Sequence, residues 1–110
     1  MVNDILTAVR IEHAQGRFIR LPAGTCAVYF DDIEVIAADR VPDPAALPRI
    51  YKHNVTVEVY EPTPDDPSEN ALEAELDARG LEWTKQDRYW LKDLQRYQTV
   101  YEFSYTSKSK

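Results

Sequence analysis

At 110 residues, with 44% hydrophobic and 29% charged content, the chain has room for one domain with a real core and not for two. A net charge of −6 disfavours wrapping DNA by phosphate neutralisation, and a single cysteine excludes an internal disulfide or a multi-cysteine metal site. The opening stretch "MVNDILTAVRIEHAQ" carries acids and no long apolar run, which argues against a signal peptide or a membrane span and for a reducing cytosol.

In chain order, the first expected element is a helix over about Asn3–Gln15. Asn3 or Asp4 would cap it, Ile5, Leu6, Val9 and His13 would share a face, and Gly16 would stop it. "RFIRLP" reads as an extended connector. Cys26–Phe30 reads as a strand in which Cys26 is a small core residue rather than a nucleophile. Asp31 and Asp32 are expected to break that strand. Residues 31–48, with three prolines between Val41 and Pro48, read as an exposed flexible arm that no central strand could contain.

"RIYKHNVTVEVYEP" gives the clearest strand, with Val55, Val57 and Val59 alternating against Thr56, Glu58 and Tyr60. Asp66 as cap, Pro67 at the first turn, Glu69 three residues on and Gly80 at the end predict the second helix. Leu72 and Leu76 give it an apolar face. "LEWTKQDRYW" predicts a strand and "LKDL" a turn. Tyr97, Thr99, Tyr101, Phe103 and Tyr105 then alternate as one face of a last strand, with 106–110 expected as a disordered tail. The sum is one α+β domain over 1–110: about four strands in a mostly antiparallel sheet, two helices packed on one face, and a long Pro-containing excursion.

Little here points to chemistry. His13 and His53 have no ligand partners at metal-site spacing. The Asp31, Asp32, Glu34 cluster lacks a calcium-loop glycine, and Asp65-Asp66 is explained by helix-start chemistry. Three glycines and no phosphate loop count against a nucleotide enzyme. The reading is no enzyme, with no catalytic, cofactor-binding or metal residue. The aromatics from Trp83 to Tyr105, interleaved with Lys85, Arg88, Lys92 and Arg96, could stack single-stranded nucleic acid, but core and interface roles are favoured.

Charge is uneven. Residues 58–82 hold nine acids and one base, while residues 83–110 hold six bases and three acids. Such patches can attract between identical copies.

Gly80, Leu81 and Trp83, then Tyr97, Gln98, Tyr101, Glu102 and Phe103, follow an order seen in a family of small phage proteins. Upstream, Ala27–Phe30, Ala38–Asp39 and Asn54–Pro62 fit the same scheme. Over about Ala27–Tyr105 the chain resembles tail-terminator, or tail-completion, proteins of long-tailed phages and prophages. It departs from them in the proline-rich stretch around Val41–Pro48 and in "YWLKDL".

The resemblance implies a structural virion-assembly protein without cofactors. It would form a ring, a hexamer on assembly, that caps the tail tube and joins it to the head connector. Its partners would be itself, the tail-tube protein and the head-connector protein. DNA would pass through without specific binding, and no membrane would be involved. It would occupy the host cytoplasm during assembly and then the virion. The expected subunit interface pairs Arg88, Lys92 and Arg96 with Glu69, Glu73 and Asp77 of the next copy, and adds Val35, Ile36, Asp39 and Arg40 from the arm. The competing expectation is an acidic monomeric regulator or DNA-mimic decoy that binds a host protein.

Overall fold

The computed structural model describes residues 1–18, 20–35 and 50–108. The expected residues Ile36, Asp39 and Arg40, the rest of the arm from 36 to 48, and the tail residues 109–110 lie outside them.

Helix α1 covers Val2–Ala8 only. It stops early because Arg10 turns left-handed at φ 60°. The amide of Ile11 then bonds the carbonyl of Leu6, and that of Arg10 bonds Thr7, closing a Schellman end without glycine. The chain continues as β1 (Glu12–Gln15), the segment expected to be the helix's second half. Gly16, at φ 85°, ends this strand rather than the helix. Asn3 caps nothing; its side chain meets His13, which donates from Nδ1 to the carbonyl of Ile11 at 2.8 Å.

Strand β2 runs unbroken over Cys26–Val35, through both aspartates. Strand β3 spans Ile50–Glu61 and pairs antiparallel with all of β2. Helix α2 spans Asp66–Ala78. Asp65, not Asp66, is its cap, and accepts from the Ser68 amide at 3.1 Å. Gly80 at φ 70° and the Leu81 amide on Leu76 close its other end as expected. The last elements are β4 (Trp83–Lys85), β5 (Tyr89–Leu91) and β6 (Arg96–Lys108). Strand β6 therefore includes Thr106, Ser107 and Lys108, the first part of the expected disordered tail over 106–110.

Among the described residues the chain is α+β, with two helices and a six-stranded, mostly antiparallel sheet in place of about four strands. The order is β1-β2-β3-β6-β4, with β5 also on β6, and β1 is the parallel exception beside β2. Val55, Val57 and Val59 do alternate inward. They join Val2, Ile5, Leu6, Leu72, Leu76 and Tyr101 in one core. Each full side-chain burial contributes about 1.5–3 kcal/mol of transfer free energy.

Packing is not confined to that face. Cys26 lies on the opposite one, in line with Tyr60 and Gln98, and is fully buried. Burial pushes its thiol up to about 11, as suits an inert core cysteine. On the same side of β6, Arg96 donates to the carbonyl of Pro22 at 3.2 Å, tying down the connector before β2.

Candidate functional site

The polar centre of the fold originates in a one-residue bulge. Trp83 and Lys85 pair with Phe103 and Tyr101, whereas Tyr89 and Leu91 pair with Gln98 and Arg96. Three residues, Gln86 to Arg88, thus oppose two, Thr99 and Val100. A bulge re-aims the side chains that follow it. Lys85 before the bulge and Arg88 within it both reach α2.

Lys85 Nζ sits 2.9 Å from Glu69 and 2.8 Å from Glu73. Arg88 bonds Glu69 and reaches Asp66 at 2.7 Å. Behind them lies Glu61, the inward residue that follows Val59 on β3, with no exposed surface. The Asp65 amide donates to it at 2.7 Å, and Arg88 approaches it at 3.6 Å. Burial pushes the Glu61 carboxyl up, to about 7, reinforced by its hydrogen bond to Glu69. Burial opposes ionisation of Glu69 as well, but there the Arg88 and Lys85 hydrogen bonds prevail and hold it below the usual carboxylate range. Burial thus favours the protonated form at Glu61, while the two cations favour the charged form at Glu69. Tyr101 adds a hydroxyl donated to Glu73 at 2.7 Å, and burial drives its own ionisation far upward.

These contacts change how the expected interface residues must be understood. Arg88 and Glu69 do meet, but within one chain. Glu73 is held by Lys85 and Tyr101. Asp77 accepts from the Trp83 indole at 2.8 Å. Arg96 serves Pro22, and its Nε is buried without an acceptor among the described residues. Lys92 lies exposed in the β5–β6 turn, and Val35 lies exposed at the end of β2. The acidic helix and the basic strand are one internal network rather than two free patches. The aromatics are also committed to packing. Tyr101 is fully buried against Trp83, and Trp90 meets Tyr97 edge-on at 4.8 Å. Tyr89 and Trp90 keep about half their surface open. Lys85 and Arg88, the bases that precede them in sequence, are engaged on α2.

A second polar cluster crosses three strands. The pairing registers bring Asp31 of β2, His53 of β3 and Ser107 of β6 to one face. His53 Nδ1 lies 2.9 and 3.0 Å from the Asp31 carboxylate, which can only accept, so this nitrogen carries the proton. Its Nε2 lies within hydrogen-bond distance of the Ser107 hydroxyl at 2.7 Å, and Tyr105 stacks on the ring at 4.3 Å. The order serine, histidine, aspartate is that of an acyl-transfer triad. Such a reaction also needs N–H donors converging beside the serine oxygen. A regular strand points its N–H groups along the sheet, away from its side chains. Through these contacts the cluster ties β2, β3 and β6 together across the sheet. Sequence reading missed it because its members lie far apart in the chain; only the strand register aligns them.

Beyond this cluster the sheet is a ribbon of β2, β3 and β6. Phe30, Ile33 and Val35 are exposed on it, Ile33 by 58% and Val35 by 48%. A groove of about 440 Å³ crosses the face opposite the core, with the carboxylates of Asp32, Glu82 and Glu102 in its lining. Among the described residues no cluster of His, Cys, Asp and Glu could hold a metal ion, and no helix is long and apolar enough to cross a membrane.

With this geometry in hand, comparison with protein-family models and with curated proteins gives no match.

Proposed function

We propose that the chain is a structural assembly protein whose copies close into a ring. In keeping with its resemblance to tail terminators, the ring caps a phage tail tube and meets the head connector. It is a hexamer on assembly, forms in the host cytoplasm and ends in the virion. The observation that carries this reading is the distal ribbon of β2, β3 and β6. Among the described residues its apolar Ile33 and Val35 stand in the open side by side on one face, which supports reading the ribbon as a binding face. The long axis supports it too, since extents of 54 × 29 × 22 Å suit side-by-side packing of elongated subunits.

The ring contact is assigned to Val35, with Ile36, Asp39 and Arg40 as expected from the sequence, whereas Lys92 stands at the opposite end of β6. Glu69, Glu73, Asp77, Arg88 and Arg96 are withdrawn from it, because each already has a partner inside the chain.

Light scattering across a concentration series tests the proposal. A discrete assembly at a multiple of the 12.7 kDa chain mass is expected, alone or on adding the cognate tail-tube protein. A monomer under both conditions would overturn it and favour the decoy reading.

A further inference from the structure

We infer that neighbouring subunits join by strand addition, the distal edge of β6 in one copy pairing in parallel with the distal edge of β2 in the next. This rests on the ring reading and specifies its contact.

The starting observation is that both edges of the ribbon are open among the described residues. Strand β1 covers β2 only over Cys26–Tyr29, and β4 with β5 covers β6 only up to Phe103. That leaves Phe30–Val35 on one side and Ser104–Lys108 on the other. The direction of the free groups follows from strand alternation. Val100 turns its carbonyl to Gln86 on the β4–β5 side. In an antiparallel strand the N–H and C=O of one residue point the same way and alternate along the chain. Ser104 and Thr106 therefore offer theirs to the open side. Likewise Tyr29 gives its carbonyl to Gly16 on the β1 side, so Asp31, Ile33 and Val35 face outward there.

Open edges are usually blunted by proline, a bulge or shortness. Neither free length holds a proline or a bulge, and the charges of Asp31, Asp32 and Glu34 guard the β2 edge against pairing with its own kind. The Asp31–His53–Ser107 contacts tie both edge strands to β3, which reduces the ordering entropy lost when they pair.

The occupant is a second copy because the two edges complement each other. The β2 edge carries Asp31, Asp32 and Glu34, whereas the β6 edge has no acid and ends on lysine. Two β2 edges would set carboxylates against carboxylates, which is unfavourable. Strands β2 and β6 both run antiparallel to β3, so they share a direction. Copies related by rotation about an axis along the strands would thus meet β6 to β2 in parallel. Ile33 and Val35 would then lie beside Tyr105 of the neighbour, covering the apolar surface that stands open in one chain. Such a contact is heterologous, and it generates a ring when the rotation closes.

Two blocking variants test the pairing on the full chain. Thr106→Pro removes an outward N–H from β6, and Ile33→Pro does the same on β2. Each alone should remain at the 12.7 kDa monomer mass. Mixed one to one, they should form a dimer and stop there, since each retains the edge the other lacks. Thr106→Val keeps the N–H and should assemble like wild type. Circular dichroism establishes that both proline variants are folded. Hydrogen exchange on the wild type supplies a second readout, with Thr106 fast in the dilute monomer and slow in the assembly. Wild type and Thr106→Pro assembling alike would overturn the edge pairing and leave the ring standing. An Ile33→Pro dimer without its counterpart would overturn the head-to-tail order. Slow exchange of Thr106 in the monomer would show the edge already covered and overturn the pairing. A wild type monomeric throughout, with or without tail-tube protein, would take both proposals down.

Discussion

Glu61 continues the valine face of β3 and is as buried as the valines, so its proton matters to stability. Its folded carboxyl titrates above the ordinary value of 4.5, at about 7. The folded state therefore binds more protons than the unfolded state between those values, and stability falls as pH rises through that window. Glu69 acts oppositely, and its contribution is lost only in stronger acid. Denaturant midpoints measured from pH 5 to 8 should decline by roughly 2 kcal/mol in stability. Glu61→Gln should flatten that decline, and a slope unchanged in the variant would assign it elsewhere. Arg88→Ala should cost about 3–5 kcal/mol, because it leaves Glu69 charged and buried with Lys85 alone. A loss below about 1 kcal/mol, on the scale of an exposed ion pair, would mean that Glu69 is not ionised there.

Elements show where the sequence was legible and where it was not. The valine strand, the tyrosine strand and α2 could be read directly, because period two, a glycine stop and an acidic start are local signals. The α2 start was misplaced by one residue, since Asp65 and Asp66 both fit a cap and only Ser68 and Thr25 decide between them. Asp65→Ala should therefore cost about 1–2 kcal/mol in thermal unfolding, and Asp66→Ala clearly less. Equal losses would restore Asp66 as the cap. The short α1 was illegible because an arginine, not a glycine, takes the left-handed position that ends it. Strand β1 was illegible because its partner is β2, across a loop. The bulge between β4 and β5 was equally silent, and it decides that Arg88 meets Glu69. Sequence set those two charges opposite each other but expected them on neighbouring copies, whereas they meet within one chain.

At the scale of the whole molecule, closing the acidic helix onto Lys85 and Arg88 changes the expected salt response. An assembly held by charge pairs between subunits would weaken as the screening length falls from about 10 Å at 0.1 M to about 3 Å at 1 M salt. One held by backbone pairing and apolar contact should retain most of its mass across that range. Light scattering at the two salt concentrations distinguishes them, and dissociation at high salt would return the interface to charge.

The position of β6 has another consequence, for the chain while it is being made. This strand comes last of the six in sequence yet lies between β3 and β4 in space. Synthesis proceeds at about 5–20 residues per second, so roughly 2–7 s separate the end of β3 from the start of β6. Through that interval the nascent chain shows Val55, Val57 and Val59 without the strand that completes their sheet. A ribosome-associated chaperone that shields extended apolar segments would therefore find its longest opportunity on β3.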